Sequence, residues 1–195
     1  MNNMVVDGDH IRIGLQGAKG SFSEEAGIDF ASRHGLADYA FDYLVSSEKV
    51  MEALDEGTIN YGIIAMENAQ GGVVIESVIA LARHACEIAE MFHIQVEQCL
   101  LGKHGLAVGD ITAIHSHPQA LRQCRIYLAD HFWTRPLIEE DHTAAAAARL
   151  SAGELPETTA VIGGRNCAEL YDLDILTENI QDLKNNLTLF LGLKK

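Results

Sequence analysis

The chain has 195 residues, enough for one domain or for two small lobes sharing a core. Its 48% hydrophobic and 22% charged residues are ordinary globular proportions and exclude a disordered or low-complexity chain. With 14 basic against 28 acidic residues the formal net charge is −14; that field opposes nucleic acid and anionic membrane surfaces, while a small anion held by local N–H donors stays open.

In chain order, residues 11–15 predict a strand and Gln16-Gly17-Ala18-Lys19-Gly20 a glycine-rich turn. A helix then starts at Ser21, with Glu24 at capping-box spacing and Gly35 where it would stop. Residues 38–44 predict a second strand, and Ser46 or Ser47 caps a helix that runs through Glu56 to Gly57. The nearly all-apolar residues 59–65 predict a third strand, covered on both faces. Alternation of this kind favours a parallel α/β organisation.

The third strand runs into Glu67-Asn68-Ala69-Gln70-Gly71-Gly72, and Val74, Val78, Leu81 and Ala82 then recur at helical spacing as far as His84. Residues 87–101 are extended for long enough to cross from one lobe to another. Beyond them come a strand at 111–115, a helix from Pro118 to about His131, a strand at 135–139 and the alanine-rich helix capped by Thr143. Short strands at 160–162 and 174–176 flank a helix at 166–171, and 187–193 is a final strand.

The cysteines, Cys86, Cys99, Cys124 and Cys167, are far apart and form no Cys-x-x-Cys pair, so free thiols are expected. The N-terminus lacks a basic start followed by an apolar run, and no segment approaches the roughly 18 apolar residues of a membrane span. A cytoplasmic location without membrane or nucleic-acid partners is expected. His115 and His117 lie at strand spacing but lack a third ligand at telling distance, so no metal is expected. Residues 14–20 match neither the dinucleotide fingerprint nor the P-loop.

Polar clusters follow strands or open helices at 19–23, 67–72, 116–119, 143 and 185–188, where Ser, Thr and Asn with helix N-termini suit carboxylates. Taken singly, Ser21, Ser23 and Thr143 read equally as plain N-caps, and Asn68 as the closer of an Asx turn. Their order carries more. The series Gly17-Ala18-Lys19-Gly20-Ser21-Phe22-Ser23, Glu67-Asn68-Ala69-Gln70-Gly71-Gly72-Val73, Ser116-His117-Pro118-Gln119, Thr143-Ala144-Ala145-Ala146, Ile180-Gln181-Asp182 and Asn186-Leu187-Thr188-Leu189-Phe190 resembles the prephenate dehydratase catalytic domain.

The resemblance implies an α/β, two-lobed fold like that of type II periplasmic binding proteins, with the active site in the interlobe cleft. Lobe 1 would hold about residues 1–96 and 178–195, and lobe 2 about 97–177. It implies a carbon–oxygen lyase that turns prephenate into phenylpyruvate, CO2 and water in phenylalanine biosynthesis. The enzyme would need no cofactor and would form a homodimer or larger homo-oligomer. Thr188 would stand at the leaving hydroxyl, Asn68 and Gln119 would orient the substrate, and Glu67 would act as an acid or position Asn68. Ser21, Ser23 and Thr143 would hold carboxylates, with Lys19 and Phe190 also at the site.

Two departures stand out. The family's Thr-Arg-Phe is Thr188-Leu189-Phe190 here, with Lys19, Arg122 or Lys184 as candidates to replace the lost cation. The sequence also stops at Lys195, so the regulatory ACT domain is not expected. The missing arginine leaves a non-aromatising prephenate decarboxylase of a secondary pathway as an alternative. Fold alone would also allow a non-catalytic small-anion sensor.

Overall fold

The computed structural model describes residues 10–140 and 143–195. The first sheet begins with β1 (Ile11–Leu15), α1 (Phe22–Arg33), β2 (Tyr39–Tyr43), α2 (Ser47–Glu56) and β3 (Tyr61–Asn68). It continues through β4 (Gly72–Val73), α3 (Ile75–Arg83) and β5 (Glu87–Gln95). The second sheet is built from β6 (Cys99–Gly102), β7 (Ala113–Ser116), α4 (Pro118–Gln123), α5 (Arg125–Phe132) and β8 (Leu137–Glu139), then α6 (Thr143–Ser151), β9 (Thr159–Gly163), α7 (Arg165–Tyr171) and β10 (Asp174–Thr177). The last strand, β11 (Leu187–Lys194), returns to the first sheet.

The strand orders are β2-β1-β3-β11-β5, with β4 on β3, and β10-β6-β9-β7-β8. Parallel pairing holds for β1 with β2 and β3 and for β7 with β8 and β9. The organisation is nonetheless mixed rather than parallel, because β11 enters between β3 and β5 antiparallel to both and β6 is antiparallel to β9 and β10. β11 comes back from the other lobe, so its direction is set by the crossing and not by a local βαβ unit.

Period-2 alternation sorts the cores. Ile13, Leu15 and Ile63 meet Ala26, Phe30 and Ala31 of α1 on one face of the first sheet, with Phe190. On the other face, Ile64, Leu191 and Leu193 meet Val50, Met51 and Leu54 of α2. Each such buried Ile, Leu, Val, Met or Phe side chain contributes about 1.5–3 kcal/mol. In the second lobe, Leu101 and Val161 pack under α6 and α7, while Leu100, Ile114 and Ile162 pack under α4 and α5.

The chain passes between lobes at residues 96–98 and again after β10. The two passages are bonded together: the Ile180 N–H donates to the Gln98 carbonyl at 2.9 Å, and the Gln98 N–H to Gln181 Oε1 at 3.0 Å. This docking breaks the predicted helix 118–131 in two at Cys124. The Gln123 carbonyl accepts the Asp182 N–H at 2.7 Å, and the Asp182 carboxylate caps the Ile126 N–H at 3.0 Å. No helix among the described residues is long and apolar enough to cross a membrane.

Candidate active site

A cavity of about 540 Å3 lies between the lobes. It is walled on one side by the turn after β1, Asn68 of β3, and Thr188 and Phe190 of β11, and on the other by His117, Gln119 and Gln123 of the second lobe, with Gln98 of the first crossing at its base. This is the carboxyl-end edge of the parallel strands, where open α/β sheets bind ligands. Residues from the starts of α1 and α6 face it, so their unsatisfied first-turn N–H groups bias the space toward anions.

Asn68 is 8% exposed and forms the hub of the site. Its Oδ1 accepts the backbone N–H groups of Gln70 and Gly71 at 3.1 and 2.8 Å. Because those groups can only donate, the amide is oriented, and Nδ2 must donate to Thr188 Oγ1 at 2.8 Å and to Asn186 Oδ1 at 2.9 Å. Thr188 therefore receives a bond on its oxygen and keeps its proton for something in the cavity. The register places Thr188 directly opposite Asn68, which is why the two side chains share a face.

Gln119 lies against the turn that follows Asn68: a Cβ on Gly71 would come within 2.6 Å of Gln119 Nε2, so a side chain there would push the Gln119 amide aside. Behind it, Gln98 Nε2 donates to Gln123 Oε1 at 3.0 Å, while Gln98 Oε1 is buried with no hydrogen-bond partner. Gln98 and Gln123, 3% and 4% exposed, are given no role by the sequence, although Gln123 belongs to the motif Ser116-His117-Pro118-Gln119-Ala120-Leu121-Arg122-Gln123-Cys124 that carries the resemblance. Their amides meet only because the crossing and α4 come together, and the other sequence cue is amide side chains beside otherwise apolar segments.

Ser21 and Ser23 line the cavity as expected. Ser21 is the N-cap of α1, yet its side chain makes no capping bond, and its Oγ is buried and unpartnered. The capping box is replaced: Glu24 accepts the Gly20 N–H at 2.6 Å and the Tyr43 hydroxyl, leaving the serine hydroxyl for the cavity. A Cβ on Gly17 would sit 2.3 Å from that Oγ. Val45, also in the wall, has φ 68, a strained conformation for a β-branched residue and typical of functional sites. Thr143 opens α6, but its side chain lies outside the described residues; its neighbour Ala144 lines the cavity.

Two expected site residues stand elsewhere. Glu67 precedes Asn68 in β3, points to the opposite face and is exposed, so it is no acid for the cavity. Lys19 is exposed outside the lining, because the tight turn directs Gly17 and Ser21 inward instead. The other candidate cations also fail to replace an arginine at 189. Arg122 is on the outer face of α4, and Lys184 ties the second crossing by donating to the Gln181 carbonyl at 2.9 Å. Leu189 is itself in register with Glu67 and His93, on the face away from Thr188. Among the described residues no lysine or arginine lines the cavity.

His115 and His117 do not converge. His115 bonds Glu140 at 2.8 Å, whereas His117 leaves β7, accepts the Gln119 N–H at 3.2 Å as the N-cap of α4, and lines the cavity. Among the described residues no group of three or more His, Cys, Asp or Glu side chains is placed to hold a metal.

The model of the prephenate dehydratase family matches residues 13–195. The chain belongs to the prephenate dehydratase family. It is 33% identical over 192 residues to arogenate dehydratase/prephenate dehydratase 1, chloroplastic, of Arabidopsis thaliana, covering 97% of this chain and 47% of that protein. It is 34% identical over 178 residues to the prephenate dehydratase of Methanocaldococcus jannaschii, covering 91% and 62%. The chain thus spans about half to three fifths of the length of these relatives. The solved prephenate dehydratase of Arthrobacter aurescens in complex with L-Phe superposes with a TM-score of 0.84 at 24% identity, over 95% of this chain and 60% of that one. The two-lobed α/β fold is therefore the family's own.

Proposed function

We propose that this dehydratase-family chain converts prephenate to phenylpyruvate, CO2 and water. In that reaction the bond to the ring carboxylate breaks and its electron pair enters the ring, while the ring hydroxyl departs as hydroxide and takes up a proton to become water. Aromatisation drives the step, and the poor leaving group is its obstacle. The reading rests chiefly on Thr188, whose oxygen is occupied by Asn68 Nδ2 and whose proton is free to meet the departing hydroxyl. A threonine hydroxyl is too weak an acid to give up that proton, so it acts as a fixed hydrogen-bond donor, an effect worth about 10²–10³ in kcat.

The remaining residues hold and orient. Ser21 Oγ and the start of α1 suit a carboxylate, Gln119 suits the ring substituents, and the apolar Phe190 and Val96 walls weaken solvation of the carboxylate that is lost. Relatives named for arogenate act on the counterpart that carries an amino-acid side chain in place of the keto acid. The ring chemistry is the same. Purified protein should form phenylpyruvate from prephenate, and Thr188→Val should lose at least 100-fold in kcat while keeping its circular dichroism spectrum. Full activity without the hydroxyl would overturn the assignment.

A further inference from the structure

Beside the donors that suit carboxylates, the cavity holds acceptors that a ligand carrying oxygens alone leaves unpaired. Glu76, in the first turn of α3, is the one carboxylate in the described lining, and no lysine or arginine offsets it. Its position is held firmly. Gln16 Oε1 accepts the Ala65 backbone N–H at 2.8 Å, which fixes the amide so that Nε2 donates to Glu76 Oε1 at 2.6 Å. Ser47 Oγ adds a longer bond to the same oxygen at 3.4 Å. Glu76 Oε2 has no partner among the described residues, and Gln98 Oε1, deep in the same cavity, is a buried acceptor without a donor.

Prephenate brings two carboxylates, a ketone and one hydroxyl, so its only donor is the ring hydroxyl. It would set a carboxylate or a ketone oxygen against Glu76, which is repulsive or unpaired. An α-amino-acid side chain brings an ammonium with three N–H donors and lowers the ligand's net negative charge from two to one. We propose that Glu76 is a specificity-determining residue that pairs with this ammonium, so that the chain prefers arogenate to prephenate. The assignment deepens the dehydratase reading and rests on it. An acidic residue at the start of a helix also complements the helix dipole. That role alone would require neither the oriented Gln16 amide nor a place in the cavity wall.

The test compares kcat/KM for L-arogenate and for prephenate in the wild-type protein and in Glu76→Gln. The exposed Glu76 can be changed to Gln without loss of the acceptor for Gln16, so the variant should fold. The wild type should favour arogenate at least tenfold. Glu76→Gln should cut that ratio at least fivefold, mainly through the KM for arogenate. A smaller change, or a wild type that prefers prephenate, overturns the proposal. If the wild type turns over neither compound, the dehydratase reading fails separately. Calorimetric Kd values for both compounds on the same two proteins then decide the role of Glu76. An arogenate preference that falls fivefold in the variant upholds it, and a ratio moved by less overturns it.

Discussion

Changing Asn68 to Asp separates the hub's two jobs. The new carboxylate still accepts the Gln70 and Gly71 N–H groups, so the turn after β3 holds, but both Nδ2 donations, to Thr188 Oγ1 and Asn186 Oδ1, are lost. Thr188 now faces an acceptor at 2.8 Å and turns its proton toward it, away from the cavity. The bond to Thr188 re-forms with its direction reversed, so the one buried hydrogen bond lost is that to Asn186 Oδ1, at about 1–3 kcal/mol of stability, readable as a lower urea midpoint. Capturing the Thr188 proton removes one preorganised donor, about 10²–10³ in kcat, or roughly 2.7–4 kcal/mol of barrier. The assay is initial-rate formation of aromatic product by Asn68→Asp, Thr188→Val and the double variant. If both single changes remove the same donated proton, the double variant should be no more than threefold slower than either. An Asn68→Asp enzyme with kcat within threefold of wild type would refute the reasoning, as would losses that multiply in the double variant.

Other consequences follow from named contacts. Burial alone would raise the Glu140 carboxyl, but hydrogen bonds from His115 and Arg149 pull it below its ordinary value. Its stabilisation is therefore present above the unfolded carboxylate pKa of about 4.3 and is lost as pH falls through the lower folded value. Glu140→Gln should accordingly lower the melting temperature at pH 7 and flatten its fall below about pH 4.5; an unchanged acid limb would contradict this. In Gly192→Ala the new Cβ would lie 2.2 Å from Phe30 Cε2 in the core, so a loss of about 1–3 kcal/mol is expected in urea unfolding. Burial raises the Cys167 thiol to about 12 and Cys124 higher still. Iodoacetamide with mass mapping should therefore label the half-buried Cys86 first and reach Cys124 and Cys167 only on unfolding.

Elements governed by local rules were legible in the sequence. The stop at Gly57 is one, with φ 69 at the C-cap of α2, and the approximate bounds of β1 and α6 are others, whereas β3 runs through Asn68, three residues past the expected end. Features set by segments distant in sequence were not. The break at Cys124 depends on Asp182, and the antiparallel insertion of β11 depends on the return crossing. In the site, period-2 alternation correctly turns residue 189 away from Thr188. The same rule applied one strand over turns Glu67 away from Asn68, and its carboxylate had suggested chemistry that its direction does not permit. The Gln98–Gln123 pair and the Gln16–Glu76 clamp each join residues far apart in the chain, so no local pattern marks them.

The central claim is that Thr188 assists departure of the ring hydroxyl. It is tested most directly by identifying, with NMR and mass spectrometry, the products formed from prephenate and from arogenate by the wild type and by Thr188→Val. The account predicts phenylpyruvate and phenylalanine respectively, each with one equivalent of CO2, and formation of both at least 100-fold slower in the variant. A product that has lost CO2 but kept its hydroxyl, or aromatic product formed at an undiminished rate by Thr188→Val, would contradict it.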